Sequence, residues 1–172
     1  MASSLSGRVA YIATAKIIDE EMKKRVSQHR RRRRGSWKTY EIKSGQVKVG
    51  DIDKILSDIK LEEINTILID CLTNLLFRII DRYNLDNIEI INNRVEKEIE
   101  KKVTLFFKTI LSRLKSSNLN VIIISNEVGM GVVPAFPLGR IFRDLMGIVN
   151  KEAVLVSDEV YLFVAGLKQR LK

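Results

Sequence analysis

The chain has 172 residues, 45% of them apolar and 30% charged, which suits a folded globule with an ordinary core and excludes a disordered chain. Of its nine net positive charges, Arg30 to Arg34 alone supply five, so the basic character is local and calls for a concentrated anion at least as much as for a duplex. One cysteine and one histidine exclude an intramolecular disulfide and a zinc cluster. No run approaches the ~18 apolar residues of a membrane span, and the opening MASSLSGR lacks a signal-peptide core, so a cytoplasmic protein with no membrane partner is expected.

Residues 9–14, VAYIAT, form the first apolar run rich in β-branched side chains, and read as a strand. Residues 17–28 start acidic and end basic, as a helix complementing its own dipole would, with His29 leaving that helix. The polar stretch 42–64 reads as a connection with a short helix around Val49–Ile59. A second strand is expected over 65–73 and contains Cys71, which is read as a small buried hydrophobe. Residues 92–118 carry Val95, Ile99, Val103, Phe106, Ile110 and Leu114 at spacings of three and four, a helix that Asn92 or Asn93 caps. Phe106 and Phe107 are assigned to the core.

A strand at 120–127, a helix at 137–153 and a last strand at 158–166 complete the pattern. Alternating strands and helices imply one α/β domain over residues 1–172, with a mostly parallel sheet that binds ligands beyond its carboxyl edge. Thr14 and Ala15, Asp70 and Thr73, and Ser125 to Glu127 fall at that edge. Gly129, Gly131 and Pro134 either shape a turn there or form a substrate loop. Glu127 and Asp144 read as structural acids.

His29 directly precedes the five arginines, and composition leaves two readings open: a basic arm for nucleic acid, or a nucleophilic histidine beside phosphate-holding guanidiniums. Only Trp37 and Tyr40 offer stacking surfaces near the run, and no recognition-helix pattern accompanies it.

Longer spacings add to this. YIATA (11–15), DEEM (19–22), His29 with Arg33 four on and Trp37 four beyond, and TYE (39–41) come in one sequence. LIDCLT (68–73), NLLF (74–77), SNEVGMGVVP (125–134), FRDLMGIVN (142–150) and DEVYLFVAGL (158–167) follow. In that order they resemble the bifunctional adenosylcobinamide kinase / adenosylcobinamide-phosphate guanylyltransferase family of cobalamin biosynthesis, from about residue 8 onward. The resemblance implies a three-layer α/β fold related to P-loop nucleotide-binding proteins. It implies phosphorylation of adenosylcobinamide with ATP, then transfer of GMP from GTP to the phosphate through a guanylylated histidine, with Mg²⁺. By position that histidine is His29, and nucleotide contacts fall on Ala13, Thr14, Ala15, Arg30, Arg31, Arg32, Arg33, Glu41 and Asp70. A homotrimer is implied as well.

The sequence also departs from the family's pattern. Relatives open with a strand and a Walker A loop ahead of YIAT, whereas here only MASSLSG precedes it, and SLSGR lacks the lysine of such a loop. The kinase step depends on that loop, and a sheet without its strand is expected to show unpaired backbone and apolar edges. The family's proline after Arg33 is Arg34, Ala135 and Phe136 follow VVP, and the DCLT–NLLF segment is short by about a turn. A degenerate relative that binds without turnover, or a nucleic-acid binder using the arginine run, are the alternatives.

Overall fold

The computed structural model describes residues 8–33, 35, 37–42, 47–83 and 92–172. Expectations on residues 4–7 (SLSG), on Arg34 and on the side chain of Arg32 lie outside the described residues. Strands β1 (Val9–Ala13), β2 (Lys38–Glu41), β3 (Thr66–Asp70) and β4 (Asn120–Ile124) pair in parallel in the order β2-β1-β3-β4. Helices α1 (Glu20–Arg32), α2 (Val49–Leu61), α3 (Leu72–Ile80), α4 (Asn93–Lys115) and α5 (Pro137–Val156) connect or follow them. A short hairpin, β5 (Tyr161–Val164) and β6 (Leu167–Arg170), closes the chain.

Alternation along the central strands sends Ala10, Ile12, Ile67 and Ile69 to one face of the sheet. There they join one buried cluster with Ile52, Ile55 and Ile59 of α2, Leu72, Leu75 and Leu76 of α3, and the inner stripes of α4 and α5. The other face carries Val9, Tyr11 and Leu68, with Ala13, Ile122 and Trp37 packed against them. The expected reading of an α/β protein with a mostly parallel sheet flanked by helices therefore holds.

Several elements follow the sequence closely. Asn92 caps α4 by accepting from the Arg94 amide at 2.8 Å, and Ile99, Val103, Phe107, Ile110 and Leu114 are buried. Phe106 is half-buried and meets Phe107 edge to face, while Val95 lies exposed at the helix start. Cys71 is buried, and that burial raises its thiol pKa. Helix α2 forms where expected and runs two residues further.

Other elements differ. The run 65–73 is a strand only to Asp70, and Cys71 then caps α3, which the sequence reading missed. Leu72, Leu75, Leu76 and Ile79 have helical spacing, but a continuous apolar run fits a buried strand equally well. Strand β2 was also missed, because four residues with alternating exposure carry little signal. Helix α1 starts at Glu20, since Asp19 accepts from the Met22 amide at 2.6 Å, and it continues through His29, which was expected outside it. Arginine is a good helix former, so nothing stops the helix at residue 28.

The last strand is the largest correction. Residues 158–166 were expected to add a parallel strand, but Tyr161–Val164 pairs antiparallel with Leu167–Arg170 in a separate two-stranded sheet. Ala165 (φ 50°) and Gly166 (φ 82°) form the turn between them, and two successive left-handed residues match the twist of a tight hairpin. Alanine is costly in that region, by about 1 kcal/mol. Ala165→Asn is therefore expected to raise stability by about 0.5–1 kcal/mol, read as an upward shift in thermal midpoint.

Among the described residues β4 pairs only with β3, and its Ile124 is exposed.

Candidate functional site

Because β1 lies between β2 and β3, their carboxyl ends come into register. Ala13 pairs with Glu41 on one side and Asp70 on the other, and Ile124 lies beyond Asp70. Glu41, Ala13 and Asp70 thus form a row at the edge where parallel sheets bind ligands.

The backbone just past β1 is held from beneath. The Thr14 hydroxyl donates to the Cys71 carbonyl at 2.8 Å and accepts from the Cys71 amide at 2.6 Å, while the Thr14 amide donates to the Asp70 carbonyl at 3.1 Å. Arg78 of α3, 3% exposed, donates through Nη1 to the Thr14 and Ala15 carbonyls, each at 3.4 Å. Beside it, Lys16 pairs with Asp81 at 2.5 Å. The Thr14 side chain is committed to this clamp, as are its amide and the carbonyls of Thr14 and Ala15. Thr14→Val keeps the shape but strands the buried Cys71 amide, while the Cys71 carbonyl keeps the Leu75 amide at 3.2 Å; a loss of about 1–2 kcal/mol in urea unfolding is expected, with Thr14→Ser near the natural protein.

The arginine run meets the row from α1. Arg30 forms an ion pair with Glu41. Arg33 places its guanidinium carbon 3.6 Å from the centre of the Tyr11 ring and donates from Nη1 to the Thr39 hydroxyl at 3.3 Å. Tyr11 in turn donates its hydroxyl to Asp70 Oδ2 and stacks on Trp37, with centroids 6.4 Å apart. Burial, reinforced by the Asp70 carboxylate, pushes the Tyr11 phenol well up, so it stays protonated and a donor.

Of the sequence-derived candidates, Ala13, Thr14, Ala15, Glu41, Asp70, Arg30 and Arg33 are brought together. His29 and Arg31 are exposed on the last turns of α1, with no side-chain hydrogen bond or ion pair to the described residues. His29 immediately precedes the arginine that bridges to Glu41. Tyr11, Thr39 and Arg78 were missed; Tyr11 lay inside the YIATA motif, and only its place on the sheet marks it out.

At the neighbouring strand end a small amide network forms. Ser125 donates to Asn150 Oδ1 at 2.6 Å, Asn150 donates to the Asn126 carbonyl at 3.2 Å, and the Asn126 amide donates to the Thr73 hydroxyl at 3.1 Å. Glu127 accepts from the Gly129 amide at 2.7 Å, and a Cβ on Gly129 would lie 2.8 Å from that carboxylate, so Glu127 and Gly129 shape the turn. Met130, Val132, Val133 and Phe136 stand exposed on the loop that follows. Asp144 pairs with its neighbour Arg143.

Among the described residues no group of three or more His, Cys, Asp or Glu forms a metal cluster, and no helix is long and apolar enough to cross a membrane. An open hollow of about 490 Å³ between α2 and α4 is lined by Asp53, Lys60 and Arg113, and its Asp53–Arg113 pair is closed at 3.0 Å.

Comparison with known proteins gives the family. The family model described as "Cobinamide kinase / cobinamide phosphate guanyltransferase" matches residues 1–171. The chain belongs to this family. It is 30% identical over 168 residues to the bifunctional adenosylcobalamin biosynthesis protein CobU of Escherichia coli K12, covering 97% of this chain and 87% of that one. It is likewise 30% identical to the CobU protein of Salmonella typhimurium, over 96% of this chain and 86% of the relative. To the CobP protein of Pseudomonas aeruginosa it is 31% identical, over 95% and 82%. The cobinamide kinase/guanyltransferase family is one of bifunctional enzymes of cobalamin biosynthesis, and the resemblance seen in the motifs extends over nearly the whole chain.

Proposed function

We propose that this protein is a nucleotidyltransferase that moves GMP from GTP to adenosylcobinamide phosphate, with His29 as the nucleophile. The observation that carries the reading is the convergence of Arg30 and Arg33 on the Glu41–Ala13–Asp70 row, from a helix whose exposed histidine directly precedes them. Neutral imidazole nitrogen attacks the α-phosphorus, a P–N bond forms, the α–β bridging P–O bond breaks, and pyrophosphate leaves. In the second half a phosphate oxygen of adenosylcobinamide phosphate attacks the same phosphorus, the P–N bond breaks, and the imidazole is released.

Charge builds on the equatorial oxygens and on the leaving pyrophosphate, which is where guanidiniums act. Arg30, Arg31, Arg32 and Arg33 are the candidates for that role. Glu41 can accept from a guanine edge once Arg30 turns to phosphate, and the backbone of Ala13, Thr14 and Ala15 lines the nucleotide. Mg²⁺ bound to a nucleotide takes only one or two protein carboxylates and keeps several waters. The half-buried Asp70 suits that requirement, and the ion would neutralise phosphate charge there.

The reading takes residues 1–172 as one nucleotide-binding domain of the P-loop-related type, in a cytoplasmic homotrimer. ATP-dependent phosphorylation of adenosylcobinamide is the family's other step. Retention of the fold without turnover is the second reading, favoured by the absence of any side-chain partner that orients His29 among the described residues. Nucleic-acid binding is disfavoured, because Trp37 and Tyr40, the aromatic rings beside the arginine run, are packed into the fold and offer no free stacking platform. Intact mass after incubation with GTP and Mg²⁺ tests the proposal: a gain of one GMP supports transfer, and a well-folded sample without it supports the second reading.

A further inference from the structure

We propose that Tyr11 is the positioning residue of the transfer site, holding the Asp70 carboxylate with its hydroxyl and the Arg33 guanidinium on its ring face. The inference rests on the transferase reading and names a residue that reading does not use.

Tyr11 lies two residues before Ala13 on the sheet face opposite the helical core, and is 5% exposed. A side chain there needs only to be apolar to fill its place beside Val9 and Leu68. This one carries a hydroxyl, directed at Asp70 across the β1–β3 pairing. A carboxylate at a strand end rotates about its own bonds unless a donor fixes one oxygen, and the Tyr11 hydroxyl supplies that donor.

The ring has a second task. Arginine is rich in rotamers, and ordering it over a phosphate is costly unless it is already ordered. Arg33 sits 3.6 Å over the Tyr11 ring centre and is tethered to Thr39, while Trp37 supports the same ring. Tyr11 thereby couples the one acid and one of the bases that would flank a bound triphosphate. Packing alone would couple neither.

The two tasks separate by substitution. Tyr11→Phe keeps the ring and deletes the hydroxyl; Tyr11→Leu removes both. The experiment is single-turnover guanylylation of the full chain with GTP and Mg²⁺, followed by intact mass over a range of GTP concentrations. Tyr11→Phe is expected to lower the maximal rate about tenfold with half-saturating GTP within about twofold, since one hydrogen bond to a charged group is lost. Tyr11→Leu is expected in addition to raise half-saturating GTP roughly fivefold, as Arg33 loses its seat.

A merely structural role gives a different signature: a smaller fraction of molecules labelled, at the natural rate. That result for Tyr11→Phe overturns the inference, as does a Tyr11→Phe protein indistinguishable from the natural one. Should Tyr11→Leu fail to fold, Tyr11→Phe decides alone. If the natural protein takes up no GMP, the transferase reading falls and takes this inference with it. If the natural protein is labelled and Tyr11→Phe is unchanged, only the inference falls.

Discussion

A His29→Ala protein incubated with GTP and Mg²⁺ is expected to gain no mass, where the natural chain is expected to gain one GMP that acid removes. The effect is expected to be the largest of any single change, with labelling reduced by at least about a thousandfold. His29 is the only histidine in the sequence, so no second imidazole can take over the P–N bond. Lysines are plentiful, but an ammonium group has no free electron pair with which to attack phosphorus. Arg30→Ala separates attack from charge stabilisation: it leaves the nucleophile, frees Glu41, and is expected to slow labelling by about tenfold to a hundredfold without abolishing it. Intact-mass spectrometry of the three proteins, before and after acid, reads all of these outcomes.

Arg78→Ala is expected to cost about 3 kcal/mol of folding stability, the largest structural effect among the site's supports. The guanidinium is 3% exposed, and burial pushes its pKa down, so the charge is held against a desolvation cost. The Asp51 carboxylate offsets part of that cost, and the guanidinium donates to two carbonyls, those of Thr14 and Ala15, where β1 ends. Alanine leaves those oxygens and a void the length of an arginine stem. Arg78→Lys fills the void but cannot reproduce the planar fork, and is expected to recover about half of the loss. In urea the alanine change corresponds to a fall of about 1.5–2 M in midpoint. A wild-type midpoint for Arg78→Ala would refute the clamp.

Much of this protein is written locally. The helical spacing from Ile99 to Leu114 and the cap at Asn92 were legible because a long amphipathic helix repeats its signal. The presence of strands β1 and β3 was legible from their β-branched runs, though the second was read three residues past its end at Asp70. Helix α3 and strand β2 were not, since the first is continuous with an apolar strand and the second is four residues long. The hairpin at Tyr161–Arg170 depends on two left-handed residues, one of them alanine, for which sequence gives no warning.

The site shows the same division. Motif order pointed to Glu41 and Asp70, but only the parallel register sets them on either side of Ala13. The roles of Tyr11 and Arg78 are contacts between residues 59 and 64 positions apart, and no local pattern records those.

The open side of β4 bears on how the protein behaves when it is handled. Asn120 to Ile124 reads Asn-Val-Ile-Ile-Ile: uncharged, free of proline, rich in β-branched residues, and bonded on one flank only among the described residues. Natural sheets blunt such margins with a lysine, a bulge or a covering loop, and these five residues carry no charge of their own to repel a second chain. Association at high concentration is therefore expected to begin at this strand, backbone to backbone, with light scattering rising before the unfolding signal on warming.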